Sequence, residues 1–189
     1  MKKEIKFLEK YYLEFEKLIT NEHFKNIINL KNQILKIKNN KKKIIVAGNG
    51  GSAAISSHFS VDLTKNAKIR SINFNEADLI TCFSNDYGYE RWIEKAIDYY
   101  AEKGDLLILI SSSGKSPNMV KAAKFFKKNK IGKLVTFTGH KKSNALKKVG
   151  DLNFWINTKS YNLVENMHQF ILLSVVDLII GKSEYSANR

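Results

Sequence analysis

Two short stretches of this 189-residue chain carry the residue types that hold an anion. The first is Gly48, Asn49, Gly50, Gly51 and Ser52, which follows three β-branched residues and an alanine and precedes a segment of helical character. That order predicts a buried strand, a turn able to use positive φ, and a helix capped by Ser52. Glycines let backbone N–H groups approach a phosphate with no Cβ in the way, and the start of a helix adds partial positive charge. The second stretch is Ser111, Ser112, Ser113, Gly114, Lys115 and Ser116, placed between the apolar run 106–110 and Pro117, a residue suited to the first turn of a helix. Its hydroxyls, together with helix N–H groups, can enclose the three terminal oxygens of a phosphate monoester.

Neither stretch fits the better-known nucleotide motifs. Gly114, Lys115 and Ser116 end like a P-loop, but the earlier glycine that motif needs would fall at Leu109. Gly48, Gly50 and Ala53 satisfy the looser dinucleotide fingerprint, yet the second strand ends near Asn73 without the acidic residue that would bind a ribose, which argues against NAD.

The elements that must position these loops follow from periodicity. Over residues 1–39, apolar positions such as Ile5, Leu8, Tyr12, Phe15, Ile19, Ile27, Leu30 and Ile34 recur at spacings of three and four, which predicts two helices broken near Asn21 and Glu22. A long amphipathic segment ahead of the first strand has little sheet to cover, so it is expected to pack on another subunit as well as on its own domain. From residue 41 onward, strands alternate with helices. Strands are expected at 43–47, 68–74, 105–111, 133–138 and 151–156, and a last helix at about 161–180. Continuous apolar runs indicate strands covered on both faces. The expectation is an α/β protein: one domain over 1–189, with an N-terminal helical segment (1–40) and a doubly wound five-stranded parallel sheet (41–189), ligands lying at the carboxyl ends of the strands.

Composition narrows the function classes. With 43% apolar residues the chain can bury a full core. No apolar run is read as long enough to cross a membrane and the N-terminus lacks the apolar core of a signal peptide, so a cytoplasmic location is expected. The net charge of +14 comes mostly from lysines scattered along helices and turns, with no zinc-finger or RNA-recognition spacing beside them; a solvated basic face is favoured over nucleic-acid binding. Cys82, the single cysteine, lies in an apolar run and is expected to be a buried, inert thiol. His23 and His140 fall in expected surface segments and receive no role.

The pairing of Gly-Asn-Gly-Gly-Ser at 48–52 with Ser-x-Ser-Gly-x-Ser at 111–116 resembles the sugar isomerase (SIS) domain, and in particular the phosphoheptose isomerases. His58-Phe59, Asn85-Asp86-Tyr87-Gly88, Lys103-Gly104-Asp105 and Thr138-Gly139 match further, so that the likeness spans nearly the whole chain. It implies an isomerase converting sedoheptulose 7-phosphate to D-glycero-D-manno-heptose 7-phosphate, for surface polysaccharide synthesis, in a homotetramer with active sites at subunit boundaries. It also implies that Asn49, Gly50, Gly51 and Ser52 contact or fix the substrate, that Ser111, Ser112, Ser113 and Ser116 bind its phosphate, and that Asn85 and Asp86 contact the sugar. The family's catalytic and, in some members, zinc-binding cluster of His, Glu, Gln and His maps onto His58, Asp62, Glu165 and Leu173.

The last three positions depart from that pattern. Within the resemblance, His58 and Asp62 are i, i+4 on one helix and Glu165 and His168 are i, i+3 on another, so each pair could address the sugar. Isomerisation through an enediolate needs a base, a donor for the developing oxyanion, and return of the proton to the neighbouring carbon. Glu165 is expected as base, His58 as polarising group, Asp62 as its orienter and His168 as substitute acid. The same four residues are candidate zinc ligands. The other function class implied by the resemblance is a non-catalytic sugar-phosphate sensor.

Overall fold

The computed structural model describes residues 1–184. Five parallel strands lie in the order β2-β1-β3-β4-β5, with β1 at Ile44–Gly48, β2 at Ser71–Asn73, β3 at Leu106–Ser111, β4 at Lys133–Thr138 and β5 at Leu152–Trp155. Helix α1 (Lys2–Glu16) and α2 (Asn21–Asn39) precede the sheet. The remaining helices are α3 (Gly51–Lys65), α4 (Ala77–Tyr87), α5 (Trp92–Tyr100), α6 (Pro117–Lys128) and α7 (Tyr161–Ile180). The doubly wound sheet is therefore as expected, with the second strand shorter than its sequence pattern suggested.

Strands β1 and β3 are apolar without alternation because both their faces are covered. Ile44, Val46, Ile108 and Ile110 join α2, α3 and α7 in one core; Ile45, Ala47, Leu107 and Leu109 join α5 and α6 in the other. Helix α7 is long and apolar enough to cross a membrane by length and composition, contrary to the reading that no run reached that length. Its apolar residues have a different use here: Leu163, Val164, Met167, Ile171, Leu172, Val175 and Val176 are buried in the first core.

Other local expectations also change. Cys82 is exposed rather than buried, because α4 buries none of its residues. His23 is only 8% exposed. It staples α2 to the sheet, with Nδ1 3.1 Å from the Thr20 amide, which donates to it, and Nε2 3.2 Å from the Trp155 carbonyl.

The alignment of β1 with β3, which sets where both loops emerge, is tied at its amino end by Asp105. This fully buried carboxylate accepts from the backbone N–H of Lys43 (3.0 Å) and Glu102 (2.8 Å) and pairs with the Lys43 ammonium at 2.8 Å. Removing it leaves the largely buried Lys43 ammonium only the exposed Glu102 carboxylate at 3.8 Å and leaves two amides without their acceptor, an effect on the order of 3 kcal/mol. Asp105→Ala is accordingly expected to lower the urea midpoint by that equivalent, and a loss below about 1 kcal/mol would refute the tie.

Candidate active site

In this strand order β2 lies on one side of β1 and β3 on the other, so the winding reverses between β1 and β3 and a crevice opens at their carboxyl ends. Both ligand loops leave the sheet there. They border a cavity of about 150 Å³ lined by Asn49, Ser52, Ser111, Ser112, Ser113 and Ser116, with Tyr161 and Glu165 of α7 closing the side.

The first loop turns at Gly50, whose φ of +54° is a conformation glycine adopts without strain. Helix α3 begins at Gly51, with Gly50 rather than Ser52 as N-cap. Ser52 is already helical, its N–H donating to the Asn49 carbonyl at 3.0 Å, and its side chain lines the cavity instead of capping. At Gly51 a Cβ would collide with the Glu165 carboxylate. The missing side chain is what lets an acidic group from α7 lie over the first turn of α3. Glu165 is half-buried, and its Oε1 accepts from the Ser112 hydroxyl at 3.2 Å, so carboxylate and second loop are in direct contact.

The second loop is pinned at several points. Gly114 N–H donates to the Ser111 carbonyl (2.9 Å), the Ser111 and Ser116 hydroxyls are 3.3 Å apart, and Gly139 N–H, just past β4, donates to the Ser112 carbonyl (2.8 Å). Ser116 is the N-cap of α6 and Pro117 occupies its first turn, as expected. The two loops are joined by residues that sequence reasoning did not pair. Asn49 donates its amide to Asn118 Oδ1 at 3.0 Å, and Asn118 donates its own to Asn49 Oδ1 at 2.9 Å. Asn118 is 1% exposed, and a polar residue in the first turn of an otherwise apolar helix face was the available signal.

Helices α3 and α7 run side by side, bringing successive residues together. Beyond Gly51 and Glu165, His58 meets Gln169, with the Gln169 amide nitrogen 3.4 Å from Nδ1; its Nε2 is 3.4 Å from Asp62 Oδ2. The set is consistent when Nε2 carries the proton toward Asp62 and Nδ1 accepts from Gln169. Asp62 also accepts from Asn66 at 3.1 Å. One turn after Leu173, the Asp177 carboxyl is held above its usual range by burial and by the neighbouring Asp62. Gln169 is the group sequence reasoning missed; its i+4 relation to Glu165 could have revealed it.

His58 and Asp62 lie along α3 outside the cavity lining, and three other expected members, Asn85, Asp86 and His168, stand apart from it as well. Asn85 and Asp86 are exposed near the end of α4, where the Asn85 amide donates to Asp86 at 2.9 Å. His168 is completely buried on the sheet-facing side of α7, with Nε2 3.2 Å from the Thr138 carbonyl and its ring edge-on to Phe137. Burial holds this imidazole neutral, pushing its pKa down to about 4. It is a core histidine and not the substitute acid. Leu173 faces a groove of about 540 Å³ between α1 and α7 that also includes Tyr11, Phe15, Gln169 and Phe170.

The proposed zinc set does not fit this geometry. No three of the His, Cys, Asp and Glu side chains among the described residues converge in a way that could hold a metal, and His168 is committed to the core.

The chain matches the SIS domain family over residues 7–139. It is 33% identical over 141 residues to the phosphoheptose isomerase of Fusobacterium nucleatum, covering 72% of each chain. Against that of Buchnera aphidicola the identity is 33% over 149 residues, covering 76% of each. Its fold superposes on the structure of a phosphoheptose isomerase from Francisella tularensis with a TM-score of 0.83 at 22% identity, covering 94% of this chain and 98% of the other. Two serine- and glycine-built loops at the switch point of a five-stranded parallel sheet define a protein of the doubly wound α/β class. Within that class, the chain belongs to the SIS-domain family, in its phosphoheptose isomerase group.

Two measurements test the site. Ser113→Ala and Ser116→Ala each remove a donor from the cavity and are expected to weaken sugar-phosphate binding by about 1–3 kcal/mol; unchanged affinity by calorimetry would remove that loop from the site. For His168, the unfolded chain takes up a proton near pH 6.5 whereas the folded chain does so only near 4. The native state therefore binds fewer protons in that window. Its contribution to stability is intact above pH 6.5 and declines toward pH 4, by about 3 kcal/mol in all. The fall in urea midpoint over that range should flatten in His168→Gln.

Proposed function

We propose that this protein is an aldose–ketose isomerase that converts sedoheptulose 7-phosphate to D-glycero-D-manno-heptose 7-phosphate through an enediolate. The observation that carries this reading is the contact between Glu165 and Ser112: a carboxylate stands against the loop that would anchor the phosphate, on the same helix whose Gln169 reaches His58. The cavity of about 150 Å³ suits the phosphate end of the ligand, and the sugar would extend along α3, past Glu165 toward His58. Glu165 would take the proton α to the carbonyl and return it to the adjacent carbon. His58, oriented by Asp62 and Gln169, would polarise the oxygen on which charge develops. Asn49, Gly50, Gly51 and Ser52 would contact or position the substrate, and Asn85 and Asp86 would reach the sugar only from beyond the cavity lining.

We read the chain as one domain that assembles into a homotetramer, with sites completed at subunit boundaries. Helix α1 supports this: it buries none of its residues and leaves Phe7, Leu8, Tyr12 and Leu13 exposed. An unpartnered apolar stripe of this kind is characteristic of an interaction surface. Action in the cytoplasm, in the synthesis of lipopolysaccharide or capsule, rests on kinship alone.

A second reading, a sugar-phosphate sensor without turnover, is favoured by the leucine at 173 and by the burial of His168. Incubation with sedoheptulose 7-phosphate in deuterium oxide separates the two. The isomerase introduces label at the carbon next to the carbonyl, and Glu165→Gln slows exchange at least 100-fold. Saturable binding with no exchange in the wild type would leave only the sensor, and loss of exchange in Asp62→Asn but not in Glu165→Gln would move the base to α3.

A further inference from the structure

Among the described residues, four other than glycine have positive φ: Lys41, Lys68, Lys130 and His140. The three lysines each follow the end of a helix, α2, α3 or α6, and precede a strand, a place where left-handed residues commonly terminate helices. His140, with φ +54°, is different: it follows β4, at the carboxyl edge where the ligand loops emerge. This conformation disfavours a side chain with a Cβ, and strain of that kind concentrates at functional sites.

What holds His140 is a frame anchored to the cavity. The preceding residue, Gly139, donates its N–H to the Ser112 carbonyl, and His140 N–H donates to the Thr158 carbonyl at 3.0 Å, two residues before the Ser160 cap of α7. The imidazole stands edge-on to the ring of Tyr161, with centroids 4.7 Å apart and planes at 75°. Tyr161 is the first residue of α7, one turn before Glu165, and it lines the phosphate cavity together with Ser113 and Ser116. The two buried histidines each set a ring nitrogen against a backbone carbonyl, His23 at Trp155 and His168 at Thr138, whereas His140 is half-buried. The His140 Nε2 is buried and has no such partner. Its ring is therefore not a strut for the backbone through that atom; its visible contact is Tyr161.

We infer that His140 is a positioning residue for the ligand: it braces Tyr161 as the outer wall of the phosphate cavity, so that a phosphate ester entering between the serine loop and α7 meets a fixed aromatic side rather than a swinging one. The role deepens the isomerase reading and shares its ligand class, but it concerns affinity and not proton transfer. Bracing restricts the rotamers of an otherwise 56% exposed tyrosine, so ligand binding no longer has to order that side chain.

The test is His140→Gly, which removes the imidazole while relaxing the backbone at φ +54°. The expected result is a melting temperature equal to or a few degrees above that of the wild type, with a dissociation constant for sedoheptulose 7-phosphate raised about fivefold to tenfold by calorimetry. Where turnover is present, KM should rise by the same factor with kcat within twofold. Tyr161→Ala should raise the dissociation constant similarly, and the double variant should be no weaker than the poorer single one, since both remove one wall. His140→Asn tolerates the backbone but cannot present the ring edge, and should behave as the glycine variant does. A melting temperature lowered by several degrees with unchanged affinity would make His140 a structural strut and overturn the inference, as would losses that multiply in the double variant. Affinity is measured independently of catalysis: a wild type that binds the ester without turning it over fails the isomerase reading while the wall is still judged by the variants. A wild type that binds no sugar phosphate overturns both.

Discussion

The site depends on a reciprocal pair of amide hydrogen bonds. Asn49 belongs to the turn after β1 and Asn118 to the first turn of α6, after β3, so their mutual donation closes a bridge between the two loops. Each loop alone is a strand-to-helix turn of an ordinary kind. Joined, they face one cavity from two sides. Asn118 also accepts from the Met119 N–H and is almost fully buried, so its amide cannot turn outward without leaving polar groups unsatisfied. The bridge constrains direction as well as distance: whichever way the Asn118 amide faces, Asn49 must face the complementary way.

The same economy of position governs α7. One face, with Val164, Met167, His168 and Ile171, completes the core under the sheet; the next carries Glu165 and Gln169 to α3. A shift of one residue along this helix would exchange a core histidine for a glutamine and a site carboxylate for an asparagine. The packing of α7 is therefore also what aims the site. Gly51 adds a further condition, because a Cβ there would meet the Glu165 carboxylate and push it from its present place over the start of α3.

Much of this was readable in the residues. The parallel doubly wound sheet, the two strand-to-helix turns and the helix beginning at Pro117 all follow from local patterns: apolar runs, glycine at a turn, serine and proline at a helix start. The departures occur where a side chain's direction is set by distant parts of the chain. His168 was expected beside Glu165 because three residues along a helix lie on neighbouring faces, but neighbouring faces of α7 meet the sheet and α3 respectively. Cys82 was expected inside because its neighbours are apolar; the apolar side chains of α4 turn toward one another and toward α5 without enclosing the thiol. The partners of Gln169 and Asn118 went unread because they lie 111 and 69 positions away, although the i+4 relation of Gln169 to Glu165 placed it on the right face of α7. Tolerance of left-handed backbone at His140 was equally invisible, since nothing in its immediate neighbours requires it.

Helix α1 has a thermodynamic consequence. Tyr11 and Phe15 pack on the core, but Phe7, Leu8, Tyr12 and Leu13 are left exposed among the described residues, and the free energy gained when a second molecule covers them depends on how often the two meet. Where the cover is another copy of the same polypeptide, the folded form is favoured by mass action, and resistance to heat or urea climbs with the amount of protein in solution. Dilution would then act on such an assembly as a mild denaturant, first at the amino-terminal helix and, through the α1–α7 groove that holds Leu173 and Gln169, next where Gln169 meets His58.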